Sequence, residues 1–381
     1  MTRVMISCGE ASGDLFAGAL VREIRRQRPG TEVAGFGGEQ LAAAGAELVG
    51  DYRGLTVTGL VEAIRVLPRA LRMQRALVER ARRERPDALV VIDFPDFNFR
   101  LASAFRALSI PVVYYVCPQL WAWRPGRIEV LRRIATKALV VFPFEPDFYR
   151  QRGLDVEFVG HPLLDLARAT VDRTALCAQV GLDPSRPIVA LLPGSRPNEL
   201  RAMLPTLAAA IPQIRRRLAE VQLVAARAPH LADALFAPLQ AARTRVAVVE
   251  GRTDDVLASA DVVVTASGTA TVQTAIHEKP MVIVYRLSPI SYRLGKPLVR
   301  VTTYGMVNLV AGERIVPELI QARFTPEAVA DETLRYFTDA AYAERTRARV
   351  RDVHRRLGTP GASSRAAARV LEVCDASSHT N

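Results

Sequence analysis

Short apolar runs alternate with longer helical patterns along most of the chain. In the first half the runs are Val4–Cys8, Glu32–Phe36, Ala88–Ile92, Val112–Val116 and Ala138–Phe142. The segment from Leu15 to Arg26, between the first two runs, has a helical pattern. Because buried parallel strands consist of nearly continuous β-branched and apolar residues, this alternation predicts βαβ units and a parallel sheet.

The pattern restarts in the second half, after a join punctuated by prolines between His161 and Pro187. The second series of runs is Ile188–Leu192, Gln222–Ala226, Val246–Val249, Asp261–Thr265 and Met281–Tyr285. A helical pattern follows from Thr325 to Asp375. We therefore expect an α/β protein with two Rossmann-like, doubly wound domains at residues 1–165 and 166–345, facing each other across a cleft. A helical tail at 346–381 is expected to pack back on the first domain.

Composition narrows the class of protein. The chain has 381 residues, 49% of them hydrophobic and 24% charged, which is typical of a globular protein of about two domains. No uncharged apolar run reaches the roughly 18 residues of a membrane span, and the first residues lack the layout of a signal peptide. We therefore expect a cytoplasmic protein. Its four cysteines and five histidines show neither disulfide nor metal-ligand spacing.

The net charge of +12 admits nucleic acid, an anionic membrane or phosphorylated substrates as partners. Between Arg53 and Arg85, nine arginines stand against three acidic residues, and within Gly59–Arg85, the candidate for membrane-facing helices, apolar residues recur at helical spacing. This pattern fits a helix in an anionic membrane interface and, equally, a helix packed on the sheet. Pro68 predicts a break into two helices. The arginine-rich stretch Ala343–Arg369 indicates no specific partner, and a solvated helical tail is the favoured interpretation.

Three loops of the first domain follow strands, where ligands of parallel sheets bind. Gly9–Asp14 allows close backbone approach, and Ser12 or Asp14 can cap the next helix. It matches neither GxGxxG nor GxSxG. Asp93–Asn98 places two carboxylates where a general base would lie, although such acids are also common in turns. Cys117–Trp123 holds both tryptophans, which suit either a sugar or acyl site or domain packing.

Two loops of the second domain have features of phosphate sites. In Leu192–Arg196, Gly194 permits close backbone approach and Arg196 offers a charged fork. Ala266–Thr271 joins a strand to a helix, whose free N–H groups attract anions. Together they suit a nucleotide sugar with a diphosphate leaving group. Because the chain has no Asp-x-Asp pair, arginine and helix dipoles, without a metal cofactor, would have to stabilise that leaving group.

Taken in order, the motifs of the chain resemble those of the bacterial lipid-A-disaccharide synthase family. The likeness covers nearly the whole chain and is more specific than any single motif. Its motifs are Gly9–Asp14, Thr56–Glu62, Ile92–Asn98, Trp121–Arg124, Phe142–Glu145, Gly160–Pro162, Leu192–Arg196, Ser267–Thr271, Tyr285-Arg286 and Asn308–Gly312.

The resemblance implies the GT-B arrangement of two Rossmann-like domains and an inverting, metal-independent glycosyltransferase without a cofactor. Its substrates would be UDP-2,3-diacylglucosamine and 2,3-diacylglucosamine 1-phosphate, and its products a β(1→6) disaccharide and UDP. The first domain would bind the acceptor, the second the UDP-sugar. The resemblance also implies peripheral binding to the anionic inner-membrane surface from the cytoplasm, no nucleic acid partner, and a homodimer as a further candidate partner.

The resemblance also assigns roles to residues. Asp93 would be the general base, and Arg196 would bind and stabilise the diphosphate beside Ser195. The other substrate-binding candidates are Glu10, Ser12 and Asp14 near the transferred sugar, Asn98 and Trp123 in the acceptor domain, and Ser267, Gly268, Thr269, Gln273 and Asn308 around UDP. Gln273 departs from the family, which usually has a glutamate there for the ribose hydroxyls, and a neutral amide binds hydroxyls less strongly.

Several alternatives stay open at this stage. A nucleotide-binding oxidoreductase would share the fold class, but GxGxxG is missing. A basic nucleic-acid-binding module would need its charge spread over a groove with exposed aromatic residues. A related GT-B transferase for another nucleotide sugar, or a non-catalytic nucleotide-binding homologue, is compatible with Gln273.

Overall fold

The computed structural model describes residues 1–55, 60–122, 125–229, 231–241, 244–287 and 303–378, and side chains are described throughout these ranges except at 60–65 and 378. The described chain divides into two compact units. The first holds residues 1–165 and 358–378. The second holds residues 166–287 and 303–357.

The strands and helices alternate as the sequence pattern predicts. The strands are β1 (Arg3–Cys8), β2 (Glu32–Gly37), β3 (Glu47–Asp51), β4 (Ala88–Ile92), β5 (Val112–Tyr115), β6 (Lys137–Val140), β7 (Glu157–Phe158), β8 (Ile188–Leu192), β9 (Gln222–Arg227), β10 (Ala247–Glu250), β11 (Val262–Ala266), β12 (Met281–Tyr285) and β13 (Glu318–Ile320). The helices are α1 (Ala11–Gln27), α2 (Glu39–Ala43), α3 (Leu60–Glu84), α4 (Pro95–Ala107), α5 (Ile128–Ile134), α6 (Glu145–Arg150), α7 (Leu163–Leu166), α8 (Arg173–Val180), α9 (Pro197–Arg217), α10 (Ala237–Gln240), α11 (Thr253–Ser259), α12 (Thr269–Ile276), α13 (Met306–Ala311), α14 (Pro326–Thr338), α15 (Ala340–Arg356) and α16 (Ala362–Ser378).

The first unit is built on a parallel sheet in the order β3-β2-β1-β4-β5-β6-β7. Alternate strand residues supply its two faces, because successive side chains of a strand point in opposite directions. On one face, Leu89 and Val91 belong to a buried cluster with Leu77 of α3 and Phe105 of α4. Helices α1 and α16 pack together on the other side of the unit.

The last helix belongs to the first unit. Arg28 at the end of α1 donates from its two guanidinium nitrogens to Asp375, at 2.7 and 2.8 Å. The Gly361 amide donates to Asp165 at 2.6 Å, and Arg365 donates to the Val159 carbonyl at 2.8 Å. The boundary of the returning segment lies at residue 358, because α15 packs with the second unit. The expected boundary at 346 was therefore wrong.

The second unit repeats the architecture with a parallel sheet in the order β10-β9-β8-β11-β12-β13. Its core joins Leu191 of β8 and Val264 of β11 to Leu207 of α9 and Leu334 of α14. Both sheets thus have the order of a doubly wound Rossmann-like domain, in which the chain winds outward from a central strand in both directions.

All ten strands that the sequence pattern predicts are present, with ends that differ by a few residues. The pattern missed β3, β7 and β13. Two of these, β7 and β13, have only two and three residues. All three lie at a sheet edge, where β3 is only partly buried and therefore lacks a continuous apolar run.

Helix α3 corrects the expected break at Pro68. It continues through the proline to Glu84, because the turns beyond it bury Leu77 and Ala81. That burial offsets the one backbone hydrogen bond that a proline removes. Within the described ranges, every helix is too short or too polar to cross a bilayer.

Candidate active site

In each sheet, the strand order reverses beside the strand that comes first in the sequence. In the first sheet β1 lies between β2 and β4, and in the second β8 lies between β9 and β11. The loops after β1 and β4 therefore emerge side by side, as do those after β8 and β11. Open parallel sheets bind their ligands at this position. The candidate residues form one group in each unit.

The turn after β4 holds Asp93 in a strained backbone conformation. Asp93 and Phe94 have φ angles of 44° and 49°. This left-handed region is unfavourable for residues with a side chain, and consecutive examples persist only where the surroundings enforce them. Here the Asp93 carbonyl accepts hydrogen bonds from the Asn98 amide at 2.7 Å and the Tyr114 hydroxyl at 2.9 Å. The turn thus fixes the position of a partly exposed carboxylate at the strand end.

The loop after β1, which begins at Gly9, is in close contact with the Asp93 turn. A Cβ atom at Gly9 would lie 2.1 Å from the Phe94 ring, closer than any real contact. The ring also stacks on Phe97, which stacks on Phe36, with centroid separations of 5.5 and 5.0 Å. Glycine is therefore needed at position 9 for the loops after β1 and β4 to meet.

Asp14 serves a structural purpose that sequence reasoning missed. Its side chain is 3% exposed and accepts hydrogen bonds from the backbone N–H groups of Gly38, Gln40 and Leu41 at 2.7 to 3.1 Å. These donors open α2, so Asp14 caps a neighbouring helix. This corrects two expectations: Asp14 neither caps α1, which begins at Ala11 without a side-chain cap, nor faces a sugar.

Glu10 and Ser12 are partly exposed at the start of α1 and remain candidates for substrate contact. Asn98 is no longer a candidate for substrate contact, because it is fully buried. Its amide donates to the carbonyls of Ile92 and Asp93, and its Oδ1 accepts from the Ser7 hydroxyl at 2.7 Å. Asn98 is therefore a positioning residue that holds the Asp93 turn to β1. Trp123 lies outside the described residues.

A buried carboxylate, Glu145, ties the tryptophan loop to the first sheet. One of its oxygens accepts from the Trp121 indole N–H at 3.1 Å, and the other from the amides of Val141 and Phe142. Burial raises the pKa of Glu145 to about 7, although these hydrogen bonds act in the opposite direction. The Asp93 charge adds a smaller upward contribution to the same pKa, so the two carboxylates interact.

In the second unit, the loop between β8 and α9 brings Gly194, Ser195 and Arg196 around Glu199. Gly194 has a φ of 124°, which favours glycine. The Ser195 amide donates to Glu199 Oε2 at 3.2 Å, and the Arg196 guanidinium donates to Oε1 at 3.0 Å. The side chains of Arg196 and Glu199 are 30% and 11% exposed. The loop therefore gathers anion-binding donors around one carboxylate.

The loop between β11 and α12 is open at its backbone. Gly268 precedes the helix with a φ of 133°, and a Cβ atom there would meet no described atom within 4 Å. Thr269 is exposed, and the Ser267 hydroxyl donates to the Tyr304 carbonyl at 2.7 Å. An anion can therefore approach the first N–H groups of α12.

Gln273, on α12, is oriented by an acid on α11. Its Nε2 donates to Asp254 Oδ1 at 2.8 Å, and His277 Nε2 bonds to the same oxygen at 2.8 Å. Because an ionised carboxylate only accepts hydrogen bonds, this contact fixes which end of the Gln273 amide faces Asp254.

Asn308 is buried and makes four contacts to its own unit. Its Nδ2 donates to the Val316 carbonyl and the Glu318 carboxylate, and its Oδ1 accepts from the amides of Ile315 and Val316. The expected contact with the nucleotide is therefore corrected to a positioning role, because its hydrogen-bonding groups are engaged by the protein.

Sequence reasoning missed the roles of Glu145, Glu199 and Asp254. The FPFE motif contains Glu145, and Glu199 stands third in α9, where acids often interact with the helix start. Asp254 gave no sequence signal, since α11 and α12 meet only in the fold. The four cysteines are buried and free, and the described residues contain no cluster of three potential metal ligands.

Solved structures share this fold at low sequence identity. UDP-GlcNAc 2-epimerase from Neisseria meningitidis, solved with UDP-GlcNAc, matches 97% of this chain and 100% of its own at 12% identity and a TM-score of 0.71. The calicheamicin glycosyltransferase CalG4 matches 98% of both chains at 16% identity and a TM-score of 0.63. The similarity confirms a GT-B type fold with two Rossmann-like domains.

Sequence comparisons are more specific. The family model described as lipid-A-disaccharide synthetase matches residues 4–371. Lipid-A-disaccharide synthase of Geobacter sulfurreducens is 44% identical over 375 residues, and that of Myxococcus xanthus 38% identical over 372 residues; each alignment covers 97% of both chains. The chain therefore belongs to the lipid-A-disaccharide synthetase family.

Proposed function

We propose that the protein is an inverting glycosyltransferase that condenses UDP-2,3-diacylglucosamine with 2,3-diacylglucosamine 1-phosphate. The products are a β(1→6)-linked disaccharide 1-phosphate and UDP. The observation that carries the proposal is family membership along residues 4–371, supported by relatives of 38–44% identity. The candidate groups at the two sheet edges fit the two halves of this reaction.

In the first unit, Asp93 is the proposed general base. Its carboxylate takes the proton of the acceptor 6-hydroxyl as that oxygen attacks the anomeric carbon. The bond from this carbon to the diphosphate oxygen breaks, and UDP leaves with the electron pair. The strained turn, held by Asn98 and Tyr114, supports this role because it fixes the base before the substrate arrives.

In the second unit, Arg196 and Ser195 are proposed to bind the diphosphate, together with Ser267, Gly268 and Thr269 at the start of α12. The open backbone at Gly268 and the guanidinium of Arg196 supply donors for the charge that develops on the leaving group. Gln273 is proposed to contact the ribose hydroxyls, as its position in the family pattern suggests.

Helix α3 is the proposed membrane-facing surface. Leu67 and Leu71, four residues apart on the same face of α3, are 42% and 36% exposed and form a small apolar patch. Among the described residues, Arg72 and Arg75 have no ion-pair partner. A groove of about 610 Å³ between α3 and α4 is lined by five apolar residues, three arginines, Gln74 and Glu79, and Glu79 pairs with one of the arginines, Arg82. These features suit an interface with anionic lipid.

The second arginine-rich stretch behaves differently. On α15, Arg351 pairs with Glu344 at 2.8 Å and Arg356 with Asp352 at 2.6 Å, so much of its charge is neutralised locally. On α3, Arg80 and Arg82 are paired as well, so the proposed membrane role concerns the part of the helix that holds Arg72 and Arg75. A homodimer stays a prediction, which light scattering of the purified protein would test.

The decisive experiment incubates the protein with both proposed substrates and detects the disaccharide by mass spectrometry. Asp93→Asn should reduce turnover by about 10²–10⁴-fold while the Kd for UDP stays unchanged. Asp96→Asn is the matched control, because Asp96 lies in the same segment but pairs with Arg127 at 2.6 Å. Normal turnover by Asp93→Asn would exclude Asp93 as the base. UDP binding without disaccharide formation would favour another nucleotide sugar or a non-catalytic homologue.

A further inference from the structure

Glu199 places a carboxylate inside the loop that is proposed to receive the diphosphate. Its oxygens accept from the Ser195 amide at 3.2 Å and from the Arg196 guanidinium at 3.0 Å. A Cβ atom at Gly194 would lie only 2.7 Å from Oε2, so the carboxylate rests directly against the loop backbone. The Glu199 side chain is 11% exposed, whereas the Arg196 side chain is 30% exposed and Ser195 is exposed, so an arriving ligand can reach the donors.

The position of Glu199 in α9 explains this geometry. The helix begins at Pro197 with Arg196 as its N-cap, so Glu199 is the third helical residue. An acid at this position can reach back to a free backbone N–H and offset the positive end of the helix. In this protein it does so at the Ser195 amide, beside a guanidinium. A diphosphate would need the same donors.

We infer that Glu199 is a positioning residue that stands in for the diphosphate when the loop is empty and gives up its donors when the nucleotide binds. The inference rests on the proposed function. The Glu199 carboxylate keeps the loop and Arg196 in place, and the arriving diphosphate takes over the Ser195 amide and the guanidinium. The Tyr285 hydroxyl, 3.5 Å from Oε1, offers the displaced carboxylate a donor.

This exchange has a consequence that simple helix capping does not have. Because Glu199 competes with the diphosphate for Arg196, it lowers the affinity for UDP and favours product release. Glu199→Gln keeps an oxygen for the Ser195 amide but removes the competing charge. Glu199→Ala removes the charge and the cap together, so the loop loses its shape. The two substitutions should therefore change UDP affinity in opposite directions.

The test is calorimetric titration of the full-length protein and its variants with UDP, UMP and uridine. Glu199→Gln should lower the Kd for UDP roughly 2–10-fold, the scale of a partly exposed ion pair, and leave uridine binding unchanged. Glu199→Ala should raise the Kd for UDP. Glu327→Gln, in the first turn of α14, is the matched control for helix-end charge and should change neither.

Weaker UDP binding by both Glu199 variants would overturn the inference and leave Glu199 as a cap only. An equal gain for uridine would also overturn it, since the effect would then lie away from the diphosphate. Failure of the proposed function has different signatures: a wild-type protein that binds no UDP, or one that binds UDP but forms no disaccharide. Thermal unfolding of each variant separates loss of binding from loss of folding.

Discussion

Replacement of Asn98 by aspartate should separate the hydrogen bonds of the Asp93 turn from its shape. The two side chains have nearly the same size, but the amide of Asn98 donates to three buried carbonyls, at 2.7 Å to Asp93, 3.2 Å to Ile92 and 3.4 Å to Ser7. In Asn98→Asp, a carboxyl oxygen, which accepts hydrogen bonds, would face all three carbonyls. Asn98 is completely buried, so water cannot replace the lost donors.

The expected loss follows from these contacts. The Ile92 carbonyl loses its side-chain donor at a cost of about 1 kcal/mol, and desolvation of the introduced carboxyl group adds a similar or larger amount, which gives about 2–3 kcal/mol at pH 7. Tyr114 still holds the Asp93 carbonyl, so the turn should loosen without unfolding. A shift of about 1 Å in the base would reduce turnover by about 10²-fold.

The pH dependence provides a further check. The facing carbonyls and burial should raise the folded-state pKa of the introduced carboxyl above its unfolded value of about 3.9. The loss of stability caused by ionisation of this carboxyl is therefore absent below about pH 3.9 and grows as the pH rises towards the folded-state pKa. Denaturant unfolding and turnover should be measured from pH 5 to 8. Asn198→Asp, at an exposed position, is the control for stability. Wild-type stability and turnover in Asn98→Asp at pH 7 would refute this account of the turn.

Three further predictions follow from the same structure. Gly9→Ala should destabilise the protein by about 1–3 kcal/mol and reduce turnover, because the added Cβ would overlap the Phe94 ring. Gly126→Ala is the control and should change neither stability nor turnover, since the space around Gly126 is open. Thermal unfolding and activity assays of the two variants test this prediction. Glu145 has a folded-state pKa of about 7, so its protonated form is favoured in the fold and stability should fall by up to about 3 kcal/mol as the pH rises from about 4.5 to 7. Glu145→Gln should flatten the unfolding temperature across this window, and an unchanged profile would contradict the assignment. Arg72→Gln and Arg75→Gln should each reduce binding to anionic vesicles roughly 5-fold, measured by co-sedimentation, and leave binding to neutral vesicles unchanged. Arg355→Gln on α15 is the control and should have no effect. Equal losses for all three variants would mean that net charge alone governs binding.

The repeating framework of strands and helices follows from the local pattern of apolar and polar residues. A buried parallel strand requires a continuous apolar run, so ten of the thirteen strands in the described ranges could be predicted from local pattern alone. The same pattern located the loops after β1, β4, β8 and β11, since ligand-binding loops follow strands in this class of fold. The order of motifs then indicated the family, which the comparisons confirmed.

Which polar residues keep hydrogen-bonding groups available for a ligand depends on tertiary contacts and not on local pattern. Asp14, Asn98 and Asn308 lie in candidate motifs, yet their partners come from other elements and bury them. The return of α16 to the first unit likewise depends on contacts such as Arg28 with Asp375, far apart in sequence. Local periodicity records whether a side chain favours burial, whereas its hydrogen-bond partners depend on which distant segments the fold brings together.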